Sequence, residues 1–312
     1  MSPPSEHDGA PPHNSASPSV AAPPRVAFQG APGAFSEAAL LEHFGGRADP
    51  LPCRDFESVG KAVLEGRADF GVLPVENTLA GSVQGSQDVL LTGGFTIIGE
   101  VVTTIRHCLL GVPGASVAGL RRIVSHPVAL AQCTRYLSEH PHAEALAVYD
   151  TAGAARDVAE QGDPTVAAIA ARTAAERYGL AVLAEDLQDR HDNQTRFYVV
   201  QVHREEGTSA PPLTPADPSL DESPRRTVLI LELEDTPGSL LGVLEPFAQR
   251  GINLTRLESR PSRTPWRYRF LVELETPEGE TGLDHALEEA SRSAAILRNL
   301  GTFIANRAPR GG

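Results

Sequence analysis

Basic side chains are in short supply in this sequence. Lysine and arginine number 27 against 40 acidic residues, giving a formal charge of −13 and a pI of about 5.2. That balance excludes the broad basic footprint of a nucleic-acid or membrane-surface binder. A small anionic ligand stays admissible, because salt screens charges beyond roughly 10 Å and a local arginine can outweigh a distant acidic surface. Aromatics make up only 5% of the chain, and the three cysteines, Cys53, Cys108 and Cys133, share no C-x-x-C spacing. Reduced thiols are expected, not a disulfide framework. No run approaches the ~20 apolar residues of a membrane span. The first basic residue is Arg25, and the stretch before it has no apolar core of the length an export signal needs. A cytoplasmic protein is expected. H-x-x-H, H-E-x-x-H and G-x-S-x-G are missing, as are the dinucleotide fingerprint and the P-loop, so no metal ligand set, nucleophilic serine or nucleotide cofactor has a signature.

At 312 residues the chain has room for two or three domains. Residues 1–24, rich in Pro, Ser and Ala, read as a disordered tail. Order begins at the strand "RVAFQG". After "APGAF", the run "SEAALLEHFGG" predicts a helix with Ala38, Leu41 and Phe44 on one stripe. Asp55 can cap a second helix with Phe56, Val59 and Val63 inward, Gly66 stops it, and "FGVLPV" is a buried-type strand. Strand, helix, strand at this spacing points to an α/β layer. The middle of the chain repeats the grammar: "HCLLGVPG", "RRIVSH" and "ALAVYD" as strands, "PVALAQCTRYLSEH" as one helix with Pro127 in its first turn, and "TAGAARDVAEQG" as a helix capped by Thr151. Two α/β lobes are predicted, with strand-to-helix junctions facing a shared cleft. Residues 205–226, punctuated by prolines, read as a linker. Beyond it "TVLILELE" is an alternating strand, "TPGSLLGVLEPFAQRG" a helix with Leu240, Leu244 and Phe247 inward, and the whole follows the ferredoxin-like order β-α-β-β-α-β.

Five junctions carry polar groups suited to chemistry. "QGAPGAFS" places Gly30 and Gly33 after a strand, either as an anion-cradling nest or as a simple turn. "PVENTLAGSVQGS" sets Glu76, Asn77 and Thr78 at a strand's end, where α/β lobes usually bind ligands. "SHPVALAQC" puts Ser125 and His126 at a helix start, the histidine being either a general base or a turn residue held for packing. "DTAGAA" presents Thr151 over a helix dipole that suits a carboxylate. "HDNQTRFYVV" brings Thr195, a hydroxyl donor, beside Arg196, a planar fork fitted to carboxylates, with Phe197 pinning the turn. Periodicity and composition carry the reading no further than a two-lobed small-anion binder or enzyme with a regulatory-type module.

The ordered motifs "GAPGAFSEAA", "GVLPVENTLAGSV", "SHPVALAQC", "DTAGAA", "NQTRF" and "NLTRLESRP" make the chain, from about Arg25 to Asn306, resemble the monofunctional prephenate dehydratases that carry a C-terminal ACT domain. The resemblance implies a two-lobed fold like the type II periplasmic binding proteins plus a ferredoxin-like ACT domain. It divides the chain into a catalytic domain over 25–204 (lobe one about 25–102 and 195–204, lobe two about 103–194), an ACT domain over 227–306 and a tail over 307–312. It implies decarboxylating dehydration of prephenate to phenylpyruvate in phenylalanine biosynthesis, with no cofactor and no catalytic metal. Thr195 takes the place of the family's key threonine, with Glu76 and Arg196 as further catalytic candidates. Ser36, Asn77, Thr78, Ser125, Thr151 and Phe197 fall on substrate-binding positions. Gly238, Ser239, Leu240 and Leu241, with Asn253 and with Glu258, Ser259, Arg260 and Pro261, match the motifs that bind phenylalanine as allosteric effector. The ligand would sit between two ACT domains, which implies a homo-oligomer. Many bacterial members carry threonine where this chain has Ala34; that form is closer to plant arogenate dehydratases, so arogenate or dual use is the alternative.

Overall fold

The computed structural model describes residues 22–204, 224–262, 264–276 and 282–306. The expected N-terminal tail, apart from residues 22–24, most of the expected linker and the tail over 307–312 lie outside the described residues.

The first sheet is built from the near-continuous apolar runs. Its order is Asp49–Cys53, Arg25–Gln29, Phe70–Asn77, Gln194–Val202 and Phe95–Thr104, with Gly81–Ser82 paired to Phe70–Asn77. The first three run parallel, and Gln194–Val202 crosses back to lie antiparallel between its two neighbours. Helix Phe56–Leu64 is capped as expected, Asp55 accepting the Ser58 N–H at 2.8 Å, and buries Val59 and Val63. Helix Phe35–His43 buries Ser36, Ala39 and Leu40; of the expected stripe, Phe44 is buried just past the helix end, while Ala38 and Leu41 are half-buried. Apolar residues lie on nearly every side of this helix, so periodicity could not choose its inner face.

The second sheet runs Ala181–Ala184, Cys108–Gly111, Val166–Ala170, Arg122–Ser125, Glu144–Ala147. Two local expectations fail here. "PVALAQCTRYLSEH" forms two helices, Pro127–Ala131 and Thr134–Glu139. The break is made from outside: Asp189 accepts the backbone N–H of Thr134 (3.0 Å) and Arg135 (2.9 Å) and caps the second piece. The cap of helix Thr151–Gln161 is Asp150, which takes the Gly153 N–H at 2.9 Å, while Thr151 is the first helical residue.

The third sheet is antiparallel in the order Asn253–Pro261, Tyr268–Thr276, Arg225–Glu232, Ile296–Ile304, with helices Ser239–Gln249 and Gly282–Ser291 against it. This is the ferredoxin-like arrangement. Val243, Pro246 and Phe247 form the buried face of the first helix, with Leu240 and Leu244 half-buried beside them. The strand "TVLILELE" is buried on both faces. Leu229 and Leu231 pack under the helices, while Val228 and Ile230 join Leu73, Ile97, Tyr198 and Val200 of the first lobe in one core. Contact is close enough that a Cβ on Gly301 would lie 2.1 Å from the Ile97 carbonyl oxygen. Among the described residues no helix is long and apolar enough to cross a membrane.

Candidate active site

A cavity of about 400 Å³ opens between the first two sheets. Phe35, Ser36, Pro74, Asn77, Thr195 and Phe197 line it from one side, and His107, His126, Gln132 and Thr151 from the other. Its size suits a small organic molecule. Among the described residues no Asp, Glu, Lys or Arg lines it.

The geometry at Thr195 is directional. Asn77 Oδ1 accepts the backbone N–H groups of Leu79 (3.0 Å) and Ala80 (2.8 Å), which fixes the amide so that Nδ2 is the donor side. Nδ2 lies 2.9 Å from Thr195 Oγ1, 2.8 Å from Asn193 Oδ1 and 3.0 Å from the Gln194 carbonyl. Thr195 therefore accepts on one lone pair and keeps its own O–H free to donate into the cavity. The network continues: Asn193 Nδ2 donates to Gln132 Oε1 at 2.9 Å, and the same oxygen meets His107 Nε2 at 2.9 Å. Since that oxygen accepts, Nε2 carries the His107 proton. Burial lowers the His107 pKa, outweighing the Gln132 hydrogen bond, and its buried Nδ1 has no hydrogen-bond partner among the described residues. Sequence reasoning assigned no role to Gln132, Asn193 or His107; each stood inside or beside a quoted motif, but only the fold shows their side chains joined.

Other candidates fall elsewhere. Ser36 and Thr151 meet in the cavity, at the starts of two helices. Ser125 is fully buried and donates to the Ile169 carbonyl at 2.6 Å, so its hydroxyl serves the sheet. Thr78 donates to the Asp192 carbonyl and accepts the Gln194 N–H, both at 2.9 Å, beside a neighbouring cavity. His126 accepts the Val128 N–H on Nδ1 at 3.2 Å, the turn role, although its ring also borders the cavity. Glu76 and Arg196 are not brought to the cavity. They pair with each other at 2.7 Å on the opposite face, where Arg196 also meets Glu273 of the third sheet at 2.7 and 3.1 Å. Arg196 neighbours Thr195 on an extended strand, and successive side chains there point to opposite faces.

The glycine loop holds the turn its sequence allowed, Ala34 N–H donating to the Ala31 carbonyl at 3.1 Å, and it does more than reverse the chain. Ala31 N–H donates to Asp150 Oδ2 (3.0 Å), while the Gly33 and Pro32 carbonyls accept from Thr173 (2.9 Å) and Tyr178 (2.7 Å). The loop seats the first lobe on the second.

In the third sheet's unit, Asn253 helps line a cavity of about 380 Å³ with Leu244, Phe247 and Leu254. Gly238 caps the first helix with φ 88°, Ser239 donates to the Thr236 carbonyl at 2.8 Å, Leu240 is half-buried and Leu241 is 68% exposed. Ser259 and Pro261 are exposed. Glu258 and Arg260 turn instead toward the first lobe. Glu258 accepts from Ser82 (2.9 Å), Gln87 (2.8 Å) and Arg256 (2.7 Å), and Arg260 reaches Asp88 at 2.8 Å.

Comparison with known proteins bears on both parts of the chain. The family model "Prephenate dehydratase" matches residues 26–205 and the model "ACT domain" matches 227–291. The arogenate dehydratase/prephenate dehydratase 2 of Arabidopsis thaliana chloroplasts is 38% identical over 289 residues, covering 89% of this chain and 72% of that protein. The structure of a prephenate dehydratase from Arthrobacter aurescens in complex with L-Phe is 33% identical with a TM-score of 0.78, covering 90% of this chain and 89% of that one. Another solved structure, GqqA, described as a novel type of quorum quenching acylase, is 35% identical with a TM-score of 0.79 and covers 90% of this chain and 98% of its own.

Proposed function

Because this chain belongs to the prephenate dehydratase family and carries an ACT domain behind the catalytic one, we propose that Thr195 is the donor that lets prephenate shed its ring hydroxyl. The chain is a prephenate dehydratase in its family's sense: water and carbon dioxide leave and phenylpyruvate forms. Carbon dioxide departs from the quaternary carbon, its bonding pair moves into the ring, and the oxygen across the ring leaves as the ring becomes aromatic. Hydroxide is a poor leaving group. A donor aimed at that oxygen stabilises the charge developing there, and removal of one preorganised donor costs roughly 10²–10³-fold in kcat. The single observation that carries this role is the Asn77 amide on Thr195 Oγ1, which leaves the O–H free to donate.

Two features support prephenate as ligand. The absence of acidic residues from the cavity lining spares a dianion like-charge repulsion. The helix starts at Ser36 and Thr151 offer backbone N–H groups for its two carboxylates. Glu76 and Arg196, facing away, act in this reading as supports. Arogenate is the second reading, favoured by Ala34, which is buried and carries no hydroxyl, and by the double name of the Arabidopsis relative. We read 25–204 as the catalytic domain and 227–306 as the ACT domain. The latter binds phenylalanine through the Gly238–Leu241 turn and Asn253, between two copies of the chain.

Side-by-side assays with prephenate and arogenate test the reading. Wild type turns over prephenate; Thr195→Ala loses roughly 10²-fold or more of kcat with its melting temperature kept, and Thr195→Ser recovers part of it. Near-normal turnover in Thr195→Ala would reject the role given to the hydroxyl.

A further inference from the structure

The strand pair carrying Thr195 and Asn77 is irregular beside the site. Thr195 pairs with Asn77 and Arg196 with Glu76, but Phe197 pairs with Pro74, so Val75 is an extra residue on its strand. A bulge shifts side-chain alternation by one. Hence Pro74 and Asn77, three apart, both reach the cavity, while Glu76 leaves from the far face. Without the bulge, a strand that faces the cavity at Pro74 would face it again at Glu76.

A bulge breaks the local ladder. Val83 N–H of the same lobe donates to the Val75 carbonyl at 3.1 Å, and the side chains bracing the bulge come from the ACT domain. Arg256 Nη2 donates to the Val75 carbonyl at 3.1 Å, and its Nη1 donates to Glu273 at 3.0 Å. Glu273, 1% exposed, also accepts both Nη groups of Arg196 (2.7 and 3.1 Å) and the Tyr198 hydroxyl (2.5 Å). Arg196 in turn donates to Glu76 at 2.7 Å, spanning the two strands. One ACT carboxylate thus holds two side chains on the rear of the strand whose front carries Thr195 and Phe197.

We infer that Glu273 and Arg256 are positioning residues for the dehydration: they lock the bulge at Val75 so that Thr195 and Asn77 stay in register on the cavity face. This rests on Thr195 being the donor. Misplacing a reacting group by about 1 Å, even from a distance, can cost on the order of 10²-fold.

The test is steady-state kinetics of the full chain with prephenate. Glu273→Gln and Arg256→Gln are each made alone and in the Thr195→Ala background. Each single variant is expected to lose roughly tenfold or more in kcat with KM within about threefold, and neither should lower kcat further once Thr195 is alanine. Losses that multiply in the Thr195→Ala background, or a raised KM with kcat intact, would overturn the positioning role. Glu273→Gln leaves buried arginines short of a counter-charge. If it does not fold, Arg256→Gln, which keeps the Arg196–Glu273 pair, decides by the same criteria. Full kcat in Thr195→Ala would instead sink the donor reading. Normal kcat in both ACT variants beside a crippled Thr195→Ala sinks only this inference.

Discussion

Single residues were legible where their partners are close in sequence. Asp55 was recognisable as a cap because its acceptor faces an N–H three residues on. Hydrogen bonds from Ser58 hold its carboxyl down, from 3.8 to about 2. A depressed carboxyl stabilises the fold fully above its unfolded value and loses that contribution as pH falls through the folded one. Asparagine caps without titrating. Urea midpoints of wild type and Asp55→Asn should therefore keep a constant difference above about pH 4 that shifts against wild type on descent to about pH 2. A difference unchanged over that window would count against the cap's charge. Thr151 shows the limit of such reading. It neighbours Asp150, whose carboxylate accepts from both Gly153 in its own helix and Ala31 in the other lobe. The sequence pattern assigns the cap to the hydroxyl, whereas the carboxylate one residue earlier takes it and is held as well by a partner 119 residues away.

Elements were legible in kind, less so in their breaks and faces. The strands of both α/β lobes follow from apolar runs, and the helices from caps and glycine stops. The split at Gln132–Cys133 did not, because Asp189 makes it from a distant loop. The glycine loop at Gly30–Gly33 is decided by contact as well. Gly33 has φ 90°, and a Cβ there would stand 2.7 Å from Ala174 Cα, a backbone atom that cannot yield. Gly33→Ala should lift the loop from the second lobe, weakening the Thr173 and Tyr178 hydrogen bonds. The expected result is a KM for prephenate raised about tenfold, ~1.4 kcal/mol, with a smaller change in kcat. Unaltered kinetics would mean that the seat does not hold the lobes for substrate. At Val75 one extra residue reassigned a whole motif: glutamate and asparagine are adjacent letters, and the bulge gives the cavity the second.

For the whole molecule, the ACT sheet forms part of the catalytic lobe's core as well as its own. The four consecutive apolar residues Val228–Leu231 were already a sign of a strand covered on both faces, although the run was read as alternating. Glu258 accepts from Ser82, which borders the cavity, and we propose that effector binding in the ACT domain is felt at the site through this contact. Phenylalanine is expected to inhibit wild type, and Glu258→Ala should raise the inhibitory concentration at least about tenfold, a coupling loss of ~1.4 kcal/mol; inhibition curves that superimpose would place coupling elsewhere. The sequence by itself determined the family, the α/β and ferredoxin-like units, and Thr195 as the residue to watch, because local patterns and ordered motifs specify elements and their chemistry. Tertiary structure alone decided that Asn77 and not Glu76 shares the cavity with Thr195, that Arg196 faces the ACT domain, and that Asn193, Gln132 and His107 extend the network. Those outcomes depend on a one-residue register shift and on partners far apart in the chain, which no local pattern records.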